Sequence, residues 1–391
     1  MNNLRIRKLT PKECWRLMGF DDEDFEKAEK VNSNTQLYKQ AGNSIVVNVL
    51  ERILENLIDK NEHIKILELF GGIGACSKAL ERIGIDYEIA DYVEIDKYAV
   101  KSFNAMHDTC FETQDICEWD KDIDCDLIMH GSPCQDFSLA GKQAGGDEGS
   151  GTRSSLMYET VRIVKKLKPK YVIWENVKNV ISKKHKHNFD NYLEKMEELG
   201  YTNYYQVLNA KDYGIPQNRE RVFTISIRKD LNQIFEFPPK QELKLKLKDM
   251  LEDEVDEKYY LSEKGIVYAL DLNDVQVGSK WEGSTSNGSI NKDIAMTIGC
   301  RSASCQRAGI TNYVVDNCDK ELSVKEAKLL IKNNTKKGYL EAEEGDGINI
   351  SSRMEYQRGN VQKDTIQTIT TSGGNDRGVV IKEKLDLSCL D

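Results

Sequence analysis

The chain has 391 residues, of which 39% are hydrophobic and 31% charged, as in an ordinary globular protein with one large and one smaller domain. Its formal charge of −10 counts mildly against a nucleic-acid binder, although net charge does not show how charge is distributed. The cysteines form no CxxC pair, so we expect free thiols and no metal site. No signal peptide opens the chain and no apolar run is long enough to span a bilayer, so we expect a soluble cytoplasmic protein with no membrane partner.

The first 60 residues predict two helices. Thr10 is placed to cap a helix in which Pro11 occupies the first turn and Glu13 completes a capping box. Residues 43–58 show apolar side chains on a wide helical face. A polar stretch at residues 59–63 leads directly into an apolar strand, so we expect the second helix to pack beside that strand.

Residues 64 to about 228 alternate between strand and helix. Apolar runs predict buried strands at residues 64–70, 126–130, 171–175, 201–208 and 221–227, and helical patterns lie at residues 75–83, 97–105, 155–167 and 189–199. Strands that alternate with helices favour a doubly wound, Rossmann-like α/β sheet that is covered on both faces.

The composition changes after about residue 236. Residues 240–260 are charged and helix-like, and the remainder is rich in Ser, Asn, Gly and Thr with short β-type runs. The stretches KDIAMTIGC at 292–300 and KDTIQTITT at 363–371 are similar, either through duplication or by coincidence. We therefore expect residues 236–391 to form a smaller, irregular, β-containing domain.

Glycines follow the first predicted strand in the motif ELFGGIG, residues 68–74. Glycine lets the chain turn tightly from strand to helix and lets a ligand approach the backbone. Glu94 comes 20 residues after Gly74, at the end of the next strand-like run, where an acid accepts hydrogen bonds from ribose hydroxyls. The pattern indicates a nucleoside-containing cofactor, with a purely structural turn as the alternative, and its spacing does not fit the GxGxxG of dinucleotide sites.

Cys134 lies in the motif HGSPCQDFS, directly after a predicted strand. Most lone cysteines are small buried hydrophobes, but this one follows Pro133 in a polar loop at the sheet edge where ligands bind in open α/β folds. Glu175 and Asn176 follow the strand YVIW at the same edge, although a lone glutamate there is also typical of a helix cap. The sequence thus predicts a nucleophilic cysteine with a carboxyl group nearby.

Two further stretches carry charge or flexibility. Gln217, Arg219 and Arg221 alternate into a strand, so we expect their side chains on one face, either clamping a phosphate or carbonyl group or lying on a solvated strand end. Residues 141–153 contain five glycines and predict a mobile lid, with a disordered linker as the alternative.

Together these motifs resemble the cytosine-5 DNA methyltransferase family. Pro-Cys-Gln at 133–135, Glu-Asn-Val at 175–177 and Gln-x-Arg-x-Arg at 217–221 come in the family's order, and PCQDFSLAGKQAG is similar to bacterial members of the HhaI type. In most members, RKLTPKECWRLMGF and QAGNSIVVNVLERIL lie at the carboxyl end, whereas here they open the chain. The sequence therefore resembles a circularly permuted member of the family.

The resemblance implies a domain plan and an activity. Residues 1–60 would complete a catalytic domain at 61–235, and residues 236–391 would form the target recognition domain. The implied enzyme is a DNA (cytosine-5-)-methyltransferase that moves a methyl group from S-adenosylmethionine to a flipped-out cytosine in a specific duplex sequence. We expect a monomer of bacterial or phage origin, acting in restriction-modification or DNA protection, with a restriction endonuclease for the same site as a further partner.

The resemblance also implies roles for single residues. Catalysis is expected from Cys134, which attacks C6 of the base, from protonated Glu175, which bonds N3, and from Asn176, Arg219 and Arg221. Cofactor contacts are expected at Asn43, Ser44, Phe70, Gly71, Gly72, Ile73, Gly74, Glu94, Ile95, Asp115, Ile116, Pro133 and Leu156. DNA contacts are expected at Gln135, Ser138, Ala140, Gln217, Thr368, Ile369, Gly373 and Gly374, with base reading near Arg353, Arg358 and Arg377.

Three other functions fit parts of the sequence. An RNA cytosine-5 methyltransferase of the same fold is disfavoured by the long tail after residue 236. A catalytically inactive DNA-binding module is disfavoured by the intact motifs around Cys134 and Glu175. A nicotinamide oxidoreductase fits the glycine turn but leaves Cys134 and the arginine pair without a role.

Overall fold

The computed structural model describes residues 4–133, 149–150 and 153–260, and beyond residue 260 the backbone of eight short strands. Its amino-terminal part contains one strand and four helices, which are β1 (Leu4–Lys8), α1 (Pro11–Arg16), α2 (Asp22–Glu29), α3 (Asn34–Asn43) and α4 (Val47–Leu57). The two helices that the sequence predicts here are confirmed as α1 and α4, and α2 and α3 were not anticipated.

A capping box begins α1, as the sequence predicts. The Thr10 hydroxyl accepts a hydrogen bond from the Glu13 N–H at 3.2 Å, and the Glu13 carboxylate accepts one from the Thr10 N–H at 2.8 Å. The same carboxylate pairs with both terminal nitrogens of Arg7, at 2.7 and 2.8 Å, and both side chains are fully buried. A bidentate contact of this kind pairs two opposite charges that would otherwise be buried in an apolar interior without a partner.

The central part alternates strands and helices at nearly the predicted positions. Its elements are β2 (Ile64–Leu69), α5 (Ala75–Ile83), β3 (Tyr87–Val93), α6 (Lys97–His107), β4 (Leu127–His130), α7 (Met157–Leu167), β5 (Tyr171–Val177), α8 (Lys186–Glu198), β6 (Tyr201–Asn209), β7 (Gln217–Asn218) and β8 (Glu220–Arg228).

Six of these strands form one sheet in the order β3-β2-β4-β5-β8-β6. The first four are parallel, and β8 runs antiparallel between β5 and β6. Side chains alternate between two cores, so that Ile173 of β5 packs with α4 and α5 on one face and Val172 packs with α7 and α8 on the other. The doubly wound α/β fold predicted from the sequence is confirmed.

Ion pairs join the amino-terminal helices to α5. The Lys78 ammonium, almost fully buried, lies 3.0 Å from Asp21 and 3.1 Å from Asp24 beside α2. Arg82 of α5 lies 2.7 Å from the buried carboxylate of Glu51 in α4. These contacts and the shared apolar core make residues 9–58 part of the same packed unit as the sheet.

The tail contributes β9 (Asn287–Ile290), β10 (Val314–Asn317), β11 (Leu329–Lys332), β12 (Tyr339–Ala342), β13 (Gly347–Ser351), β14 (Asn360–Gln362), β15 (Ile366–Gln367) and β16 (Gly378–Val379). A second sheet has the order β10-β1-β16-β13-β14, with β9 also paired to β13, so the amino-terminal strand β1 lies among tail strands. The predicted boundaries at residues 60 and 235 stay predictions.

The helix-like reading of residues 240–260 is wrong. This segment is extended and contains only two single 3₁₀ turns, at Leu247–Met250 and Glu257–Tyr259. The carbonyl oxygens of Met250 and Leu251 accept hydrogen bonds from Arg16 at 3.2 and 3.1 Å, and burial of Leu247 holds the segment against the core. Tertiary contacts therefore take the place of the local helical propensity. Among the described residues, no helix is long and apolar enough to cross a bilayer.

Candidate functional site

The turn between β2 and α5 adopts an unusual backbone conformation. Phe70, Gly72 and Gly74 all have positive φ angles, of 53°, 56° and 78°. A Cβ atom on Gly71 would lie 2.6 Å from the Tyr92 ring, so only glycine fits between that ring and the turn. Tyr92 also donates its hydroxyl to the Gly72 carbonyl oxygen at 2.6 Å. The glycines are thus required by the geometry of the turn itself.

Glu94 closes this turn from the end of β3. Its carboxylate accepts hydrogen bonds from the N–H of Gly72 at 3.1 Å and of Asp96 at 2.8 Å. Burial raises the pKa of Glu94, while these two N–H groups favour the charged form and lower it. The acid therefore lies beside the glycine turn, as the spacing predicts, and the neighbouring Ile95 side chain is 69% exposed.

A pocket of about 420 Å³ opens above the turn. Phe70, Gly71 and Gly72 line one side of it, residues 43–45 from the turn between α3 and α4 line another, and Glu175 lies at its end. Asn43 is exposed and Ser44 is buried. The amino-terminal segment therefore forms part of the same pocket as the glycine turn.

Glu68 also lines this pocket, although the sequence analysis assigned it no role. Its buried carboxylate accepts hydrogen bonds from the N–H of Ser77, at 3.0 Å, and from the Ser77 hydroxyl. Burial raises the pKa of Glu68 to about 7. Its place at the start of ELFGGIG is the signal that could have found it.

Other predicted cofactor residues lie around the pocket and are not in its lining. The N–H of Gln114 donates to the carbonyl oxygen of Glu94 at 3.0 Å, which brings Asp115 and Ile116 next to that acid. Ile116 is buried in the core, as is Ile73. Leu156 packs against the same core cluster as Phe70. The predicted contacts of these residues with a cofactor stay predictions.

The strand end that leads to Cys134 is anchored. Ser132 accepts a hydrogen bond on its hydroxyl from Trp174 Nε1 at 3.0 Å and one on its carbonyl oxygen from Asn176 Nδ2 at 3.3 Å. Pro133 follows, partly exposed. Cys134, Gln135, Ser138 and Ala140 lie outside the described residues, as do nearly all of the predicted lid and Thr368, Ile369, Gly373 and Gly374.

Glu175 faces this strand end from β5. A Cβ atom built on Gly131 would lie 3.9 Å from Glu175 Oε2, so the carboxyl group is close to the chain that enters the cysteine loop. Arg221 Nε lies 2.9 Å from Glu175 Oε1, and both side chains are mostly shielded. The structure therefore brings together the predicted carboxyl group and one of the two predicted arginines, which a substrate in the pocket would meet side by side.

The other two residues of the Gln-x-Arg-x-Arg motif are directed elsewhere. Gln217 is fully buried and donates to the carbonyl oxygen of Leu17 at 2.6 Å, and the contact with DNA predicted for it stays a prediction. Arg219, 4% exposed, donates to the carbonyl oxygens of Ser44 at 2.7 Å and Gly42 at 3.3 Å. The sequence predicted these side chains on one face of the strand, and the structure shows that both donate hydrogen bonds to the amino-terminal segment.

Comparison with known proteins gives a consistent result. A family model described as C-5 cytosine-specific DNA methylase matches residues 1–59 and 64–382. The type II methyltransferase M2.ScrFI of Lactococcus lactis subsp. cremoris is 35% identical over 274 residues, covering 54% of this chain and 76% of the relative.

Two further relatives match over a similar region. The orphan methyltransferase M.SPRI of Bacillus phage SPR is 38% identical over 233 residues, covering 51% of this chain and 52% of its own. The type II methyltransferase M.HhaI of Haemophilus parahaemolyticus is 40% identical over 190 residues, covering 48% of this chain and 57% of its own. The chain thus spans little more than half the length of these two relatives.

Proposed function

Because the chain belongs to the C-5 cytosine-specific DNA methylase family, we propose that it transfers a methyl group from S-adenosylmethionine to C5 of cytosine in a specific duplex DNA sequence. The observation that carries the proposal is the single pocket shared by the glycine turn, residues 43–45 and Glu175. The glycine turn and the carboxyl group line the same pocket, which supports a nucleoside cofactor bound beside Glu175. The family's chemistry needs these two features together.

The described residues fit S-adenosylmethionine. The carboxylate of Glu94 keeps lone pairs beyond those used by Gly72 and Asp96, and these accept ribose hydroxyls. Phe70 and Leu156 supply apolar surface at the edge of the second core, and Asn43 and Ser44 supply polar groups. When bound, the cofactor supplies a methyl group on a positively charged sulfur.

The chain's own residues supply the activation of the base. The Cys134 thiolate forms a bond to C6 of cytosine, which makes C5 electron-rich enough to take the methyl group. Glu175 hydrogen-bonds N3 and offsets the charge that arrives on the ring, and Arg221 holds Glu175 in place from 2.9 Å. A base removes the C5 proton, the bond between sulfur and C6 breaks, and Cys134 returns as the thiolate.

The reaction requires the cytosine to leave the double helix, because C6 and C5 cannot be reached inside stacked base pairs. We assign the closure over the flipped base to residues 136–153 and the choice of sequence to the tail from residue 236. We also propose that the protein acts as a monomer on DNA that a restriction endonuclease of the same specificity would cut.

The order of segments supports a circular permutation. Residues 43–45, near the start of the chain, line the pocket beside the glycine turn, and α4 shares its core with α5. At the other end, Lys8 of β1 pairs with Gly378 of β16, so the two ends of the described chain meet in one sheet. Moving an amino-terminal segment between such neighbouring ends costs little structural change.

Methyl transfer from tritiated S-adenosylmethionine to duplex DNA tests the activity, and bisulfite sequencing of DNA from expressing cells finds the methylated site. Cys134→Ala is expected to retain DNA binding and to lose transfer completely. Cys110→Ala is the matched control, because that cysteine is an exposed free thiol away from the pocket. Normal turnover by Cys134→Ala contradicts the mechanism, and transfer to tRNA in place of duplex DNA contradicts the substrate.

A further inference from the structure

We infer that Arg219 is a positioning residue for cofactor binding: it holds the Gly42–Ser44 turn in the pocket wall and takes no part in contacting the base or the DNA. The inference rests on the proposed use of S-adenosylmethionine. It separates the two arginines of the Gln-x-Arg-x-Arg motif, since Arg219 serves the cofactor side of the pocket and Arg221 serves the base side.

Two hydrogen bonds of the Arg219 guanidinium lead to the amino-terminal segment. Its guanidinium is buried, and one terminal nitrogen donates to the carbonyl oxygens of Ser44, at 2.7 Å, and Gly42, at 3.3 Å. These oxygens flank Asn43, so one side chain grips the backbone on both sides of a residue that lines the pocket. A displacement of the guanidinium would therefore displace the pocket wall directly.

The turn needs such a partner because it ends a helix. Asn43 is the last residue of α3, and the final carbonyl oxygens of a helix have no hydrogen-bond donor within the helix. They also carry the negative end of the helix dipole, which a guanidinium complements. Arg219 satisfies one of these oxygens, that of Gly42, and also the carbonyl oxygen of the C-cap residue Ser44, and so fixes where residues 43–45 enter the pocket.

Hydrogen bonds also anchor the main chain of Arg219. Its N–H donates to Asn209 Oδ1 at 3.0 Å, and its carbonyl oxygen accepts from the N–H of Ala210 at 3.1 Å. Asn209 in turn donates to Asn218 Oδ1 at 2.6 Å. The end of β6 therefore anchors the main chain of Arg219. The guanidinium of Arg219 in turn fixes the Gly42–Ser44 turn relative to the central sheet.

Gln217, two residues before Arg219 in the chain, also binds the amino-terminal segment. Its side-chain nitrogen donates to the carbonyl oxygen of Leu17, at 2.6 Å, in the chain that follows α1. The N–H of Val47, at the start of α4, donates to the neighbouring Met18 carbonyl oxygen at 3.0 Å. Gln217 and Arg219 thus attach the chain around β7 to both ends of the segment from Leu17 to Ser44.

The test compares Arg219→Met and Arg219→Lys with Arg221→Lys. The dissociation constant of S-adenosylhomocysteine is measured by calorimetry without DNA, alongside kcat and the KM values for S-adenosylmethionine and DNA. Arg219→Met is expected to raise the dissociation constant and the cofactor KM at least tenfold while kcat changes less than threefold. Arg219→Lys keeps a charge and a donor, so it is expected to recover most of the affinity.

Arg221→Lys is expected to show the opposite split, with kcat reduced and cofactor affinity nearly unchanged, because Arg221 pairs with Glu175. Arg228→Lys is the control for substitution in the same strand, since Arg228 lies at its far end and pairs with exposed Asp230. If Arg219→Met does not fold, Asn209→Ala carries the comparison, because it removes the acceptor that anchors the Arg219 main chain and leaves the guanidinium in place.

Three results overturn the inference. A loss of kcat in the Arg219 variants with an unchanged dissociation constant makes Arg219 a catalytic residue, and a rise in the DNA KM alone makes it a DNA contact. Wild-type protein that binds no S-adenosylhomocysteine overturns the proposed function itself. Wild-type protein that binds it, together with equal binding by Arg219→Met, overturns only the inference.

Discussion

Gly74→Ala is expected to destabilise the protein and weaken cofactor binding together. Gly74 has φ of 78°, and an added Cβ atom would lie 2.6 Å from His107 Nε2 and 2.7 Å from the Phe103 ring. The left-handed conformation costs a non-glycine residue about 1–2 kcal/mol, and overpacking in a filled core costs about 1–3 kcal/mol. The free energy of unfolding should therefore fall by about 2–5 kcal/mol.

The crowding is expected to reach the pocket because Phe103 cannot yield freely. Its ring is fully buried and stacked on Tyr92, with ring centroids 3.8 Å apart. Tyr92 in turn donates its hydroxyl to the Gly72 carbonyl oxygen at 2.6 Å. Close-packed side chains transmit such a displacement, so movement of Phe103 is expected to shift the glycine turn and lower cofactor affinity.

Gly84→Ala supplies the matched control at the other end of α5. Gly84 also has a positive φ, of 70°, but nothing lies within 4 Å of an added Cβ atom. Only the backbone cost of about 1–2 kcal/mol then remains. Urea unfolding and calorimetry with S-adenosylhomocysteine measure both variants. Equal loss of stability in the two, or full cofactor affinity in Gly74→Ala, would refute the steric argument.

Three further predictions address the base side of the pocket, the interior and the amino-terminal helices. Glu175→Gln should lower kcat about 10²–10⁴-fold in the tritium assay, with far less change in cofactor affinity; unchanged kcat would remove Glu175 from the mechanism. Burial lowers the pKa of His107 from 6.5 to about 4, so the unfolded chain binds a proton that the folded chain does not as pH falls from 6.5 to 4. Stability should fall on acidification, and His107→Asn should reduce that slope by up to about 1.4 kcal/mol per pH unit in urea titrations; an equal slope would contradict the assignment. Lys78→Met should cost about 3 kcal/mol because it leaves the buried carboxylate of Asp24 without its ion pair, whereas the control Lys65→Met, whose partner Asp124 is exposed, should cost far less, and equal costs would count against a structural Lys78.

Local signals were enough to predict much of the catalytic part. The capping box of Thr10 and Glu13 depends on residues three apart, and its geometry is reproduced in full. The glycine turn and Glu94 lie at the ends of adjacent parallel strands, so the alternating pattern alone predicted their meeting. The resemblance to the family then predicted that Asn43 and Ser44 would reach the same pocket, which they line.

The sequence did not predict the partners of buried polar side chains or the conformation of residues 240–260, because both depend on which surfaces pack together. Alternation showed that Gln217 and Arg219 share a side of the chain, but only packing decided that this side faces Leu17 and Ser44. The charged stretch at 240–260 had helical propensity, but Arg16 takes carbonyl oxygens that a helix would use internally.

The sequence by itself determined the strand ends, the turn chemistry and the family, because these depend on residue types at short, regular spacings. Only the tertiary structure decided how the Gln-x-Arg-x-Arg motif divides its work. A buried guanidinium takes whatever acceptors the packed chain presents, and for Arg219 those are the carbonyl oxygens of the Gly42–Ser44 turn, 175 to 177 residues away in the chain.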